Sequence, residues 1–341
     1  MSMSPLNERV VAPDVTAVPT DAPGLRWRPA VVDDVDAVTA LYKRMAKADH
    51  PQWSETREEV ASEFGHPWVD LARDSLLAET AGGELVAFGQ VVLPPAQETL
   101  VRSILFGGVD PAHRGRTIGR QLLGWQYSRA LQQLAASAKP LPGWVMAYTD
   151  ERNQTAQHLY ERFELTPARY FVQLERVVAD PIDQVALPDG VSIVPYVPDM
   201  SEAVRRAKNA AFQDHWGSQP STKEQWQRML LDLPSFRPDL SFVAVVQGEV
   251  IGLVISEVFE HDWEAQGFRS GYISLVGVVR EWRRRGIAPA LLGRVLESYR
   301  AAWFDKAQLD VDTDNPTGAL RLYTGMGFTP TTREVSHTRV F

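Results

Sequence analysis

The sequence predicts an α/β (α+β) fold in two similar domains, and three observations support this. Short runs of β-branched residues with alternating apolar positions are typical of strands and recur along the chain. Between them lie longer segments in which apolar residues recur at helical spacing. The same order of segments occurs twice. Val109 corresponds to Val278 and Arg114 to Arg283, and the number of residues that separates the two members is the same in both pairs. A period this long indicates two domains rather than a solenoid.

The composition is that of an ordinary globular protein. The chain has 341 residues, a length sufficient for two domains with their own hydrophobic cores. Of these residues, 44% are hydrophobic and 23% are charged. The net charge of −8 argues against nucleic acid or an anionic membrane as a partner. The chain has no cysteine, which excludes disulfides, thiolate nucleophiles and cysteine metal sites. No apolar run approaches membrane-spanning length and the first residues lack a signal-peptide core, so we expect a cytoplasmic protein.

Proline and polar residues mark the expected domain boundaries. Residues 1–24 are polar and interrupted by four prolines, which predicts a flexible N-terminal arm. The first domain is predicted over residues 25–178. A proline-containing linker is predicted over residues 179–188, and the second domain over residues 189–341.

The first domain is predicted to begin with an edge strand, Leu25–Pro29, and a helix that Asp33 or Asp34 caps. Thr56, followed three positions later by Glu59, forms a capping box that predicts a second helix. The remaining predicted elements are a hairpin of Ser75–Thr80 and Leu85–Val92, a strand Thr99–Val109, a long helix ending at about Ala138, a strand Val145–Thr149, a helix carrying Tyr160, and a strand Phe171–Val177.

The second domain repeats this scheme. Thr222 and Gln225 form another capping box, which predicts a helix over Thr222–Leu231. The other predicted elements are a strand Val191–Tyr196, a helix through Phe212 capped by Asp199 or Ser201, a hairpin of Phe242–Val246 and Val250–Val258, a polar segment Glu260–Arg269, the stretch Gly271–Phe328, and a last strand at about Val335–Phe341.

The stretch Gly271–Phe328 contains a strand, a basic turn and a helix in direct succession. The turn reads Arg283-Arg284-Arg285-Gly286-Ile287-Ala288. A helix N-terminus presents unpaired N–H groups with partial positive charge, arginines add full charge, and glycine lets a ligand approach the backbone. Such a turn suits a pyrophosphate, with a solvated basic turn as the alternative. Its spacing is neither that of a P-loop nor that of a dinucleotide fingerprint.

This order of parts resembles the GNAT family of acyl-CoA-dependent N-acetyltransferases. The family's pyrophosphate loop reads Arg/Gln-x-x-Gly-x-Gly/Ala, which Arg283, Gly286 and Ala288 fill. Its downstream signature of Asn, Leu-Tyr and Gly-Phe is matched by Asn315, Leu322-Tyr323 and Gly327-Phe328. Because the order of parts is duplicated, the resemblance covers nearly the whole chain except the first residues.

The resemblance implies two tandem GNAT folds, each a mixed, mostly antiparallel sheet flanked by helices, and acetyl-CoA as cosubstrate without a metal. It also implies that the strand before the loop splays from its neighbour and binds the pantetheine arm and the thioester carbonyl through its backbone. The implied acetyl-CoA-binding residues are Leu275, Val276, Val278, Arg283, Arg284, Arg285, Gly286, Ile287, Ala288 and Asn315. The contact of Asn315 stays open, because it lies one residue further from its tyrosine than Asn153 does in the first copy.

Acetyl transfer needs a neutral amine, a polarised carbonyl and a proton for the leaving thiolate. The resemblance implies that Tyr323 is the general acid, with a core tyrosine as the alternative; the usual pKa of a phenol, about 10, is near that of a thiol, ~8.5. In several families the base is a carboxylate on the strand before the loop, where this chain has only Tyr272 and Ser274. Glu257 on the adjacent strand is therefore the first candidate. The reserves are Glu260, His261 and Asp262, and a water relay or a partly neutral amine would need none of them.

The segment Asp214-His215-Trp216 lies between the first two predicted helices of the second domain. In the family this loop lines the acceptor pocket, so the resemblance implies that these three residues bind a small polar amine. A capped turn with a packed tryptophan is the alternative. We expect no metal site at Asp214 and His215, because no third ligand follows at a matching spacing.

The two copies are unequal. The first copy has Thr117 where the second has Gly286, and Glu164-Leu165 where the family has Gly-Phe. A β-branched residue restricts the backbone and crowds a phosphate. We therefore expect a degenerate acyl-CoA loop in the first domain and an active second domain.

The tandem layout is similar to that of mycothiol synthase, which acetylates a cysteinyl pseudodisaccharide with its second domain, although the acceptor-loop residues of that family are not found here. The leading hypothesis is an N-acetyltransferase that acts on a primary amine of a small polar molecule. The alternatives are acetylation of a peptide or protein amine and a non-catalytic acyl-CoA sensor. The acceptor, the acyl chain length and the oligomeric state stay open.

Overall fold

The computed structural model describes residues 3–20 and 24–341, and the chain divides into two compact units. Unit 1 comprises the described residues up to Arg169 together with Glu334–Phe341, and unit 2 comprises Tyr170–Arg333. In each unit helices flank a sheet with one parallel strand pair and otherwise antiparallel pairs. The predicted α/β (α+β) class, with two mixed and mostly antiparallel sheets, is confirmed. Over the described residues, none of the helices has both the length and the apolar character that a membrane crossing requires.

The described residues of unit 1 form six strands in its sheet. They are β1 (Leu25–Arg28), β2 (Ser75–Thr80), β3 (Leu85–Val92), β4 (Val101–Val109), β5 (Gly143–Asp150) and, from Glu334 onward, β12 (Thr329–Val340). The helices are α1 (Leu6–Arg9), α2 (Val35–Asp49), α3 (Arg57–Phe64), α4 (Leu71–Asp74), α5 (Ile118–Ala135) and α6 (Gln154–Glu161). The strand order is β1-β2-β3-β4-β5-β12, and β4 runs parallel to β5.

Unit 2 repeats this arrangement. Its strands are β6 (Thr166–Val177, from Tyr170 onward), β7 (Val191–Pro195), β8 (Phe242–Val246), β9 (Glu249–Glu257), β10 (Ser270–Val278) and β11 (Lys306–Asp312). Its helices are α7 (Ser201–Ala211), α8 (Lys223–Trp226), α9 (Trp263–Gln266), α10 (Ile287–Ala301) and α11 (Ala319–Gly325). The order is β6-β11-β10-β9-β8-β7, with β10 parallel to β11. Apolar residues of α10 and α11 cover one face of this sheet, and those of α7 and α8 cover the other.

Each unit contains one strand from the other half of the sequence. In unit 2, Phe171–Val177 of β6 pairs with β11, and in unit 1, Glu334–Val340 of β12 pairs with β5. The packed units therefore do not coincide with the ranges 25–178 and 189–341, which remain a prediction about the two sequence copies. Periodicity cannot reveal such an exchange, because the two strands have similar alternating patterns and both fit a sheet edge.

Both predicted capping boxes are present. The N–H of Glu59 donates to Thr56 Oγ1 at 3.2 Å, and the N–H of Thr56 donates to Glu59 Oε2 at 2.8 Å. Thr222 and Gln225 exchange the same pair of hydrogen bonds, each at 3.1 Å. The helical segment after Thr222 reaches Leu231 as predicted, with α8 over Lys223–Trp226 followed by a π-helical turn over Gln227–Leu231.

The N-terminal segment differs from the predicted flexible arm. Leu6 is completely buried and Val10 is 6% exposed, and both belong to the core of unit 1. The N–H of Leu6 donates to the carbonyl of Lys139 at 3.1 Å, and the N–H of Asn7 donates to that of Ser137 at 2.9 Å. Two apolar anchors among prolines give no periodic signal, so the sequence could not predict this packing. Residues 1–2 and 21–23 of the predicted arm lie outside the described residues.

The predicted linker packs along α10 in unit 2. The Arg300 guanidinium donates to the carbonyls of Val178 at 2.8 Å and Asp180 at 2.6 Å. Ile182 joins the apolar cluster around α10. Further along, a Cβ placed on Gly286 would lie 3.0 Å from Val185. The linker is therefore part of the packing of unit 2 and reaches its basic loop.

Candidate functional site

The basic loop of unit 2 connects β10 to α10 through two residues in the left-handed region. Arg284 has φ +60° and Gly286 has φ +80°. Ile287, only 1% exposed, anchors the first turn of α10 in the core, and Ala288 follows it. The N–H groups of this first turn have no partner within the helix, and with the helix dipole they form an anion-binding position.

The three arginines of the loop have different roles. Arg283 faces the protein, where it donates to the carbonyls of Val278 at 3.1 Å and Ala211 at 2.8 Å and to Asp214 at 2.9 Å. It therefore braces the loop against the end of α7. Arg284 and Arg285 are exposed, and the Arg285 guanidinium lies 4.8 Å from the ring centroid of Trp282. Of the three predicted phosphate-binding arginines, the two exposed ones are placed for a soluble anion.

The strands β10 and β11 pair only at their beginning. Their parallel ladder covers Ser270–Tyr272 and Lys306–Gln308 and ends there. Beyond that point the strands separate, and we call this opening the β10–β11 gap. Ser274 forms a bulge in the pairing of β10 with β9. A bulge changes which face the following side chains occupy.

Two of the three predicted strand residues direct their backbone groups into the gap. The N–H of Val279 donates to Ile251 on β9 at 3.0 Å. Since backbone groups alternate along a strand, those of Val276 and Val278 face the β10–β11 gap, and those of Leu275 face β9. Arg283 already occupies the carbonyl of Val278. The backbone of Val276 and the N–H of Val278 are therefore directed toward the gap.

Tyr323 lies on α11, within the apolar cluster on the α10 side of the sheet. It is 7% exposed, and its ring packs edge-on against Phe328 at a centroid distance of 6.0 Å. Burial raises the pKa of Tyr323 to about 12. Its hydroxyl makes no hydrogen bond to any residue that the structure describes. The phenol is thus protonated over the neutral range and has its proton available for a ligand.

Asn315 forms part of a separate turn before α11. Its Oδ1 accepts hydrogen bonds from the N–H of Thr317 at 2.9 Å and from the Thr317 hydroxyl at 2.6 Å. The helix itself begins after Gly318, whereas in unit 1 Asn153 caps α6 directly through the N–H of Ala156 at 3.1 Å. The extra residue seen in the sequence produces this additional turn. A role of Asn315 in acetyl-CoA binding stays a prediction.

The predicted acceptor residues lie on the α7 side of the sheet. Asp214 forms ion pairs with Arg280 at 2.5 Å and Arg283 at 2.9 Å, and these hydrogen bonds lower the pKa of Asp214. The ring of Trp216 lies 6.4 Å from that of Phe171 on β6. His215 is half-buried, with Nδ1 3.3 Å from the carbonyl oxygen of Trp216. The Asp214 carboxylate braces the basic loop, and acceptor binding by Asp214, His215 and Trp216 stays a prediction.

The predicted general bases lie outside the gap. Glu257 is the register partner of Tyr272 on β9, one strand away from the gap, and it is 9% exposed. The reserve Glu260 is exposed, and His261 Nε2 lies 3.5 Å from Asp262. Their role in catalysis stays a prediction.

Sequence reasoning missed a polar contact at the mouth of the gap. The Tyr272 hydroxyl donates to Asp310 Oδ2 at 2.7 Å. Two residues further along β11, Asp312 is 2% exposed, and its Oδ2 has no partner among the described residues. Asp310 and Asp312 alternate with apolar residues in β11, a pattern that could have indicated two carboxylates on one face. The contact with Tyr272 depends on strands distant in sequence and left no local signal.

Unit 1 keeps the brace, but its β4 and β5 stay paired for longer. Arg114 donates to the carbonyl of Val109 at 3.1 Å and to Asp49 at 2.7 and 2.6 Å. In unit 2, Arg283 makes the equivalent bonds to Val278 and Asp214. Its β4 pairs with β3 in continuous register and with β5 as far as Leu105. The hydroxyl of Tyr160, the counterpart of Tyr323, donates to the carbonyl of Tyr148 at 3.3 Å. The strand separation in unit 1 therefore starts later.

Comparisons with known proteins agree with this architecture. Residues 37–164 and 201–328 each match the acetyltransferase (GNAT) family. A mycothiol acetyltransferase of Thermobispora bispora is 31% identical over 309 residues, which are 90% of this chain and 96% of the relative. A mycothiol acetyltransferase of Streptomyces coelicolor is also 31% identical over 309 residues, covering 87% of this chain and 88% of the relative.

Solved structures show the same fold. A GCN5-related N-acetyltransferase from Sphaerobacter thermophilus superposes with a TM-score of 0.71 at 26% identity, over 95% of this chain and 97% of that chain. A tandem GNAT protein from the clavulanic acid biosynthesis pathway superposes with a TM-score of 0.66 at 15% identity, over 93% and 98% of the two chains. At the latter identity the likeness concerns the fold alone.

Proposed function

Because the chain belongs to the GNAT family of acetyltransferases, we propose that unit 2 transfers an acetyl group from acetyl-CoA to the primary amine of a small polar molecule. The observation that carries this proposal is the early end of the β10–β11 ladder after Tyr272, on the strand that leads to the basic loop. An extended thioester arm can add to the free backbone groups of β10 as a further strand would. The pyrophosphate then lies at the N-terminus of α10.

The cosubstrate site uses backbone more than side chains. The N–H groups around Gly286 and Ala288 bind the pyrophosphate, and Arg284 and Arg285 add charge from the exposed side of the loop. Val276 and Val278 bind the pantetheine arm with the groups that face the gap. The brace of Arg283 and Asp214 holds the loop in this conformation.

Tyr323 is the proposed general acid. As the C–S bond breaks, the thiolate takes the phenol proton. Burial raises the pKa of Tyr323, so the phenol carries this proton at neutral pH. The residue lies on the α10 side of the gap, so the acceptor amine reaches the thioester carbonyl from the α7 side. Trp216 and His215 border this approach.

Three features favour unit 2 over unit 1. Its loop has glycine at position 286, its β10 carries a bulge at Ser274, and its strands separate two residues earlier. In unit 1 the counterpart of Tyr323 donates its hydroxyl to a backbone carbonyl and has no proton free for a thiolate. We therefore assign chemistry to the second sequence copy and a structural role to the first.

The acceptor is proposed from the relatives. Both curated relatives are named for mycothiol, so the unacetylated cysteinyl pseudodisaccharide is the first acceptor to test. Glucosamine and a lysine peptide are the further acceptors to test. Activity with one but not the other shows whether the protein prefers a small polar acceptor or a peptide. Because the chain has no cysteine, the protein contributes no background to a CoA-thiol assay with the last two acceptors.

Calorimetric titration of acetyl-CoA into paired variants tests the assignment. Gly286→Glu places a carboxylate in the loop of unit 2, and Thr117→Glu makes the matched change in unit 1. We expect one site per chain, lost in Gly286→Glu and kept in Thr117→Glu, with thermal unfolding as a check on folding. Loss in Thr117→Glu alone would move the site to unit 1. Absence of binding to the unaltered protein would refute acetyl transfer by this chain.

A further inference from the structure

The mouth of the β10–β11 gap has a polar side. Ile273 on β10 and Ala307 and Leu309 on β11 belong to the cluster around α10. Since side chains alternate along a strand, Tyr272 and Asp310 face the α7 side, from which the acceptor comes. Asp310 lies two residues beyond the last parallel pair, where the strands begin to separate.

We propose that Asp310 is the general base of unit 2 and that Tyr272 positions it. The proposal rests on the proposed acetyl transfer. The Tyr272 hydroxyl holds one carboxylate oxygen of Asp310 at 2.7 Å, and the Asp310 side chain remains accessible to solvent. One oxygen is thus fixed in direction while the carboxylate stays open to an incoming ammonium group.

Neighbouring carboxylates are less suited to this role. Asp312 is buried, and its Oδ1 accepts the N–H of Asp314 at 2.9 Å. Glu257 is separated from the gap by β10. The unpartnered Oδ2 of Asp312 lies on the same side of β11 as Asp310, because Val311 between them faces α10.

The other charges around Asp310 are paired with one another. On β6, Glu175 accepts from Lys306 at 2.7 Å and from Gln308 at 2.9 Å, so the nearby ammonium is neutralised. Gln173 is the neutral register partner of Asp310. Dense surrounding protein raises the pKa of Asp310 above its ordinary value, and the hydrogen bond from Tyr272 opposes this. A raised pKa makes the carboxylate a better base toward an ammonium group.

The titratable groups that face this region come from several elements. They are Tyr272 on β10, Glu175 on β6, Lys306 and Asp312 on β11, Glu257 opposite Tyr272 on β9, and His261, whose ring packs on the Phe259 ring that contacts Tyr272. With Lys306 and Glu175 paired to each other, no cation among these residues bonds to Asp310 and replaces the acceptor.

The proton and electron pairs balance as follows in the proposed reaction. The Asp310 carboxylate takes one proton from R–NH3⁺, and the freed nitrogen pair forms the C–N bond while the carbonyl pair moves to oxygen. Collapse of this intermediate breaks the C–S bond, and the thiolate takes the proton of Tyr323. The nitrogen's second proton returns through solvent to the Tyr323 phenolate, and Asp310 releases its proton to solvent. The products are the amide, CoA thiol and one proton.

Unit 1 lacks both groups at the equivalent positions. In the parallel ladder of β4 and β5, Ser103 occupies the place of Tyr272 and Ala147 that of Asp310. Ser103 is buried and donates to Gln133 at 2.5 Å. The polar pair is therefore specific to the unit with the glycine loop and the bulge, which supports a role in the chemistry rather than in the shared fold.

Two acceptors test the base directly. The cysteinyl pseudodisaccharide is a basic amine that must lose a proton, whereas hydroxylamine is already neutral at pH 7. We expect Asp310→Asn to lower turnover of the first about 100-fold or more, the range of general base catalysis, and to leave turnover of hydroxylamine within about threefold. Calorimetry with acetyl-CoA checks that the variant still folds and binds. Equal turnover of the basic amine by Asp310→Asn and the unaltered protein would overturn the proposal.

Tyr272→Phe tests the positioning role through pH. Removing the hydrogen bond raises the pKa of Asp310, so the acidic limb of kcat/KM should move to higher pH and activity should recover there. An unchanged pH profile would overturn the role of Tyr272. If the unaltered protein acetylates neither amine, the proposed function itself fails. If it acetylates both and only Glu257→Gln loses the basic amine, the function stands and the base is Glu257.

Discussion

Thr117 in unit 1 carries backbone strain that can be measured. It has φ +65°, a conformation that β-branched residues rarely adopt. Its side chain is exposed and makes no capping hydrogen bond at the start of α5. The strain is therefore not offset by a contact of the side chain. Replacement by glycine should stabilise unit 1.

The size of this effect follows from two opposing terms. The left-handed region costs an L-residue about 1–2 kcal/mol, with a β-branched side chain at the upper end. Against this, glycine increases the conformational entropy of the unfolded chain, which lowers the free energy of unfolding by about 0.5–1 kcal/mol. The net gain of Thr117→Gly is then about 1 kcal/mol, or about 2–4 °C in the unfolding midpoint of a domain of this size.

Differential scanning calorimetry with a matched variant measures the gain. Gly286→Ala makes the reverse change at φ +80° in unit 2, where a Cβ would also lie 3.0 Å from Val185. We expect it to destabilise unit 2 by about 1–2 kcal/mol. A fall in stability of Thr117→Gly, or a gain in Gly286→Ala, would refute the argument from backbone conformation.

The same Thr117→Gly variant distinguishes the effect of the loop on acetyl-CoA binding from the effect of the strand separation. Its loop would then match that of unit 2 in having glycine, but β4 would still pair with β5 through Leu105. We therefore expect acetyl-CoA titration to give one site per chain, as before. A second site would mean that Thr117 alone prevents binding and that the strand separation is not decisive.

Three further predictions concern the acid, the brace and the N-terminal segment. Tyr323→Phe should bind acetyl-CoA as the unaltered protein does and lose turnover about 100-fold, and equal turnover would remove Tyr323 from the mechanism. Asp214→Ala should weaken acetyl-CoA binding and Asp49→Ala, which breaks the equivalent brace in unit 1, should not; an equal loss in both would contradict the assignment to unit 2. Leu6→Ala should cost about 3 kcal/mol in chemical unfolding, because the side chain is fully buried, whereas a change below about 0.5 kcal/mol would mean that the segment is not packed.

Local patterns in the sequence were sufficient for most elements and for the loop. Capping boxes, hairpin turns and the strand–loop–helix order depend on residues close together in the chain, so they could be predicted. The exchanged strands β6 and β12 could not, because the alternation of a strand does not specify its partner. The burial of Leu6 was missed because it depends on a pocket beside Gly143 that only the folded unit forms.

The residues of the candidate site show the same difference between local motifs, which could be predicted, and contacts between distant segments, which could not. Gly286 and Tyr323 lie in motifs with fixed spacing, so the sequence was sufficient to propose them for one site, and the resemblance added the gap-facing valines. Asp214 was assigned to the acceptor, but the structure pairs it with Arg283 through a contact between segments far apart in the chain. The pair of Tyr272 and Asp310 was missed for the same reason, since neither residue belongs to a motif.

The two loops reach one backbone conformation by different means. Both have positive φ at two positions separated by one residue, Gly115 and Thr117 in unit 1 and Arg284 and Gly286 in unit 2. Each loop therefore has glycine at one of these positions and a strained residue at the other, and the arginine brace is present in both. Since the conformation does not require glycine at the second position, packing must account for it: a Cβ on residue 286 would lie 3.0 Å from Val185, so glycine there lets the linker lie against the loop. The proposed pyrophosphate site of unit 2 therefore depends on the N–H groups in the first turn of α10 rather than on open space over residue 286.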